Sequence, residues 1–120
     1  MRAEGIRYWK KTGIFPINHG MVMRRSLAEK YPWMVINLVQ AFNDANKIAD
    51  AERIEHCQYH IDTGLLPAEA REALKTRIVS HGVVANRKTL EAAALHSVEQ
   101  GLTERLVPLD EAFAPSAMEL

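Results

Sequence analysis

From Pro32 onward, apolar side chains return at the spacing of an α-helix. Val35, Leu38, Val39, Phe42, Ala45 and Ala49 fall on one stripe, and Asn37, Gln40, Asn43, Asp44 and Lys47 lie largely off it. No other feature restricts the fold as much, because a repeat this long commits the chain to a helix of roughly five turns with one face to bury. The pattern continues through Ile54, Cys57 and Ile61 and stops at Thr63-Gly64, where glycine suits a left-handed cap. Ahead of it, Ser26-Leu27-Ala28-Glu29 has capping-box spacing, and Pro32 suits a first helical turn, where no amide hydrogen is needed. The helix is predicted over residues 32–61.

A second helix is predicted over 67–79, opening at Pro67 with Glu69 near its positive end and Ala70, Leu74 and Ile78 on its apolar stripe. A third is predicted over 86–100, with Asn86 as N-cap and Leu90, Ala93, Ala94 and Val98 turned inward. A short C-terminal helix follows over 109–114, next to Pro115. Against these helices stands one extended segment, 12–24. Its apolar runs Ile14-Phe15-Pro16-Ile17 and Met21-Val22-Met23 flank Asn18-His19-Gly20, which suits a strand better than a helix. Pro16 confines that strand to an edge, a start or a bulge. A lone strand leaves its backbone groups unpaired, and no second long strand is evident. The expected fold class is therefore an α/β fragment, mainly helical: a single partial domain whose sheet lies elsewhere.

Composition removes several functions. Among 120 residues, 15 Lys and Arg balance 15 Asp and Glu, which excludes a strongly basic nucleic-acid arm. The single cysteine, Cys57, excludes an internal disulfide and a multi-cysteine zinc framework. No stretch approaches 18 unbroken apolar residues, so no membrane insertion is expected, and residues 1–7 contain no apolar signal core. A cytoplasmic location is the expectation.

Few side chains stand out for chemistry. His56 and His60 sit four apart on one helix face, a spacing that can hold a metal, with Asp62 expected as the one nearby carboxylate that could help. The glutamate placement of HExxH is missing, so the favoured reading is two surface imidazoles around a buried Cys57 thiol, and no metal is expected. Cys57 is a weak nucleophile candidate, because it sits in mid-helix and its spacing from Ile54 and Ile61 suggests the core. Trp9 and Trp33 are expected to anchor packing. Asn86-Arg87-Lys88 could hold an anion at a helix start, although a capped helix with solvated cations is the simpler account. His19 is the best single candidate, because a histidine in a Pro/Gly-flanked segment can face a cleft and exchange protons near neutral pH. Arg24 and Arg25 could grip a carboxylate through the guanidinium fork, although charge at a strand end before a helix is the simpler account.

Longer phrases add to this. Thr12-Gly13-Ile14-Phe15-Pro16-Ile17-Asn18-His19, Arg24-Arg25, Pro32-Trp33, Asn37-Leu38 and Ala41-Phe42 occur in order, followed by Asn86-Arg87-Lys88-Thr89-Leu90-Glu91, Glu99-Gln100-Gly101-Leu102 and Phe113-Ala114-Pro115. Together they resemble the C-terminal region of the 4,5-dihydroxyphthalate decarboxylase family, many of whose relatives are described as substrate-binding proteins of ABC transporters. The resemblance covers about 7–45 and 81–115 and is poor over 46–80. Asn18 stands where the family usually has Met, and His81 stands where it has Tyr before the glycine.

The resemblance implies the C-terminal portion of a type 2 periplasmic-binding-protein-like fold, with two α/β lobes around a cleft. It implies non-oxidative decarboxylation of a hydroxylated aromatic acid, with no cofactor required. His19 would then be the proton donor, with Arg24, Arg25 and Asn18 binding substrate. The alternative it implies is a solute-binding protein for a small organic acid, without catalysis. Either way the chain is expected to be a fragment, inactive alone, that lacks an N-terminal portion or pairs as a homo-oligomer. A free-standing helical interaction module is the third reading.

Overall fold

The computed structural model describes residues 2–75 and 79–120. Six α-helices follow in order among them: α1 (Arg2–Thr12), α2 (Arg25–Lys30), α3 (Pro32–Asp62), α4 (Ala70–Leu74), α5 (Val83–Glu99) and α6 (Leu109–Ala112), and then a 3-10 turn at Pro115–Ala117. The chain divides into two compact units, Met1–Ile36 with Gly82–Leu120, and Asn37–His81.

The α/β expectation does not hold. No described residue is in a strand or sheet, so the chain does not adopt a type 2 periplasmic-binding-protein fold. The segment expected as a strand over 12–24 opens with Thr12 inside α1, and residues 13–24 have no regular structure. The reason is the one that made the strand problematic. Its backbone groups need a second extended backbone beside them, and no described segment supplies one.

In the first unit, α1 answers its own dipole. Glu4 lies in the first turn and Lys10 and Lys11 in the last. Arg7 donates to Glu4 at 2.6 Å, one turn away. The helix α2 begins after Arg24, with no side chain capping it, so the Ser26–Glu29 capping box does not form. Tyr31 and Trp33 meet edge to face with centroids 6.1 Å apart. The two tryptophans are exposed, Trp9 at 44% and Trp33 at 57%, and so do not anchor a core.

That core forms where α5, α6 and the 3-10 turn converge. Val83, Leu109 and Ala117 are buried, and Val35, Leu90, Phe113 and Met118 pack on them. Helix α5 starts at Val83, three residues before the expected cap. Gly82 precedes it at φ 105° and ψ 156°, and Asn86 sits within the first turn, donating through Nδ2 to Gly82 O at 2.8 Å. The backbone N–H of Val84 donates to Leu120 O at 2.7 Å, closing an N-terminal position that no side chain caps.

In the second unit, residues 37–62 of α3 lead to Gly64, whose φ of 77° reverses the chain. Leu66 N–H returns to His60 O at 2.9 Å. Arg71 binds Asp62 at 2.5 Å, and Arg53 reaches Leu74 O at 3.1 Å. Phe42 and His81 stack at a tilt with centroids 5.3 Å apart. Helix α4 covers five residues where 67–79 was expected, and part of that expectation, including Ile78, lies outside the described residues. Only Ile61 is buried in this unit among the described residues. The stripe Leu38, Val39, Phe42, Ala45 and Ala49 is at most half-buried, as is Cys57. No described helix is long and apolar enough to cross a membrane.

Candidate functional site

Asn18, His19 and Arg24 belong to the irregular segment between α1 and α2, and Arg25 opens α2. Two glycines, Gly13 and Gly20, and Pro16 keep helix from propagating through the segment. All four side chains are exposed. Asn18, His19 and Arg24 make no side-chain hydrogen bond or ion pair among the described residues. Arg25 has an electrostatic neighbour, because its charge helps to hold the Glu111 carboxyl below the usual range. The larger cause of that lowering is Arg105, whose Nη1 donates to Glu111 Oε2 at 3.0 Å. The same ion pair raises Arg105. Arg25 therefore faces an acid already partly neutralised.

No hydrogen bond joins His19 to Asn18, Arg24 or Arg25. The apolar neighbours are exposed as well, with Phe15 at 51%, Met21 at 61% and Val22 at 94%. The segment thus presents an imidazole, an amide and two guanidinium groups to water. It can meet an anion, but it does not by itself exclude solvent from one.

The other basic candidates are engaged. Arg87 lies 3.7 Å from Glu91, and Lys88 Nζ donates to Thr12 O at the end of α1. An anion at the start of α5 would compete with both.

A different set of side chains converges on α3. Glu52, Glu55, His56, Tyr59 and His60 line one surface hollow. The sequence spacing pairs the two histidines and offers Asp62 as their carboxylate. The structure instead gives Asp62 to Arg71 and puts Glu52 and Glu55 beside the imidazoles. The signal for this was present, since Glu52 precedes His56 by the same four residues that separate His56 from His60. A second hollow, on α1, is lined by Glu4, Gly5, Arg7, Tyr8, Lys11 and Thr12.

A curated 4,5-dihydroxyphthalate decarboxylase from Comamonas testosteroni is 24% identical over 115 residues, which cover 93% of this chain and 35% of that protein. This supports a distant relationship. The chain spans about a third of the length of the curated relative that it matches. No family model matches the chain. No solved structure matches it.

Proposed function

We propose that this chain is the counterpart of one part of a 4,5-dihydroxyphthalate decarboxylase-like protein, and that residues 18–25 form its contribution to a site for a hydroxylated aromatic acid. The observation that carries this reading is the similarity across nearly the whole chain to a protein of that name. In this reading Arg24 and Arg25 bind the carboxylate that stays, Asn18 bonds a ring substituent, and His19 supplies the proton.

The chemistry asks for little more. A ring hydroxyl para to the departing carboxylate pushes an electron pair toward that carbon. His19 as imidazolium delivers a proton there, the carbon–carboxylate bond breaks, and its electron pair restores the ring as carbon dioxide leaves. No electron acceptor enters the balance. The protonated intermediate needs shelter from water, and an exposed segment does not give it. The proposal therefore includes a further requirement: residues from another chain, or from the larger protein, close over His19.

Two measurements test it. The purified chain mixed with 4,5-dihydroxyphthalate is expected to release no carbon dioxide, and turnover by the isolated monomer contradicts the requirement for closure. In a full-length relative, replacing the histidine that aligns with His19 by alanine is expected to lower kcat by about 100-fold or more, the usual scale of general acid catalysis. Unchanged kcat and KM remove His19 from the site.

A further inference from the structure

We propose that the exposed face of α3 carries a two-histidine site for a divalent transition-metal ion, bound by the imidazoles of His56 and His60. This site is independent of residues 18–25 and of the decarboxylase reading.

The placement follows from the helix. Residues four apart stand one above the other, with Cβ atoms about 5–6 Å apart. Two imidazoles at that separation can turn toward one ion and meet it at about 2.0–2.1 Å, the usual zinc–nitrogen bond. Both histidines belong to α3, His60 in its last turn, so the helical backbone sets this spacing before any ion arrives. Both are exposed, so neither must leave a core to bind.

Their surroundings favour a cation. Glu52 and Glu55 line the same hollow and make no ion pair among the described residues. The neighbouring cation, Arg53, is turned elsewhere, to Asp50 at 3.0 Å and to Leu74 O. Neither imidazole shares its ring nitrogens with a described partner, whereas His96 is bonded to Glu99 at 2.9 Å. His60 rests edge-on against Tyr59, with centroids 5.6 Å apart, which limits the rotamers it must lose on binding.

The donor set selects the ion. No group of three metal-binding side chains occurs among the described residues, so the protein supplies two nitrogens and water completes the shell. Imidazole favours nickel, copper and zinc over magnesium and calcium, which prefer oxygen. The two carboxylates act through space, and through bound water, rather than as direct ligands.

The test uses the full chain and Ni2+ as probe. Calorimetric titration is expected to show one saturable ion per chain, undisturbed by a thousandfold excess of Mg2+. His56→Ala and His60→Ala are each expected to weaken binding at least tenfold, and His96→Ala to leave it unchanged. Paramagnetic broadening in proton NMR is expected first at the imidazole resonances of His56 and His60. Because both positions are exposed, the variants keep the helix, which circular dichroism checks. Binding that survives either alanine, displacement by Mg2+, broadening centred on other residues, or no saturable binding overturns the proposal.

Discussion

Replacing Gly82 by alanine tests whether the junction before α5 holds the first unit together. At φ 105° and ψ 156°, Gly82 occupies backbone space that is essentially reserved for glycine, and forcing a side chain there costs about 1–3 kcal/mol. The added Cβ would also stand 2.6 Å from both the carbonyl carbon and the oxygen of Leu120. Those are backbone atoms and cannot swing aside as a side-chain tip can. Relieving the contact moves Leu120 O away from Val84 N–H, losing a hydrogen bond worth about 1 kcal/mol. Val83, the most buried residue of the core, is the next residue along and moves with it. The expected destabilisation is roughly 2–4 kcal/mol. With a urea dependence of about 2 kcal/mol per molar, the middle of the usual range, the unfolding midpoint falls by about 1–2 M. Both tryptophans belong to the first unit, so their fluorescence reports this transition directly. A Gly82→Ala midpoint within about 0.3 M of the parent would show that neither the backbone conformation nor the Leu120 contact stabilises the fold.

Gly5 is the contrasting case, because it lies inside α1 with nothing within 4 Å of an added Cβ. Gly5→Ala is expected to stabilise α1 by about 0.5–1 kcal/mol, seen as a gain in helical circular dichroism; a loss would mean that α1 is not helical in solution. Glu111 gives a pH test. Its carboxyl is held below the usual range, first by the Arg105 hydrogen bond, so its contribution is present above the ordinary carboxylate range and is lost as pH falls through the lowered value. Glu111→Gln should therefore lower the urea midpoint slightly at pH 7, and the difference should shrink as acid protonates Glu111. The effect is small because the pair is exposed, and a difference that grows in acid contradicts the assigned cause.

What the sequence discloses depends on how local each property is. A 3.6-residue repeat is local, and α3 lies where Val35, Leu38, Val39 and Phe42 recur. α1 is equally local, with the Glu4–Arg7 spacing, Lys10 and Lys11 in the last turn, and Gly13 just beyond. α5 starts before the position that the capping chemistry of Asn86 suggests, because the chain uses Gly82 and a carbonyl from the far end of the sequence. That contact joins residues 36 positions apart, and no local pattern contains it. The strand failed for the same reason: β-structure is a relation between two segments, and one segment cannot show that its partner is there.

The candidate site has this non-local character too. The types and order of Asn18, His19, Arg24 and Arg25 can be read from the chain, but whether they face a ligand depends on what covers them. Burial among the described residues answers this in one direction. Trp33, Ile36, Ile48, Ile54 and Tyr59 on α3 are all exposed, so apolar residues lie on several sides of that helix as well as on the stripe that periodicity picks out. A helix apolar on several sides normally sits within a larger body. The exposed Phe15, Ile17, Met21 and Val22 beside His19 make the same demand in the first unit. If the decarboxylase reading holds, the element that covers these side chains is also the one that shelters His19. A single partner that protects residues 14–23 from hydrogen exchange and confers turnover would satisfy both demands. Turnover gained without that protection would separate His19 from the chemistry.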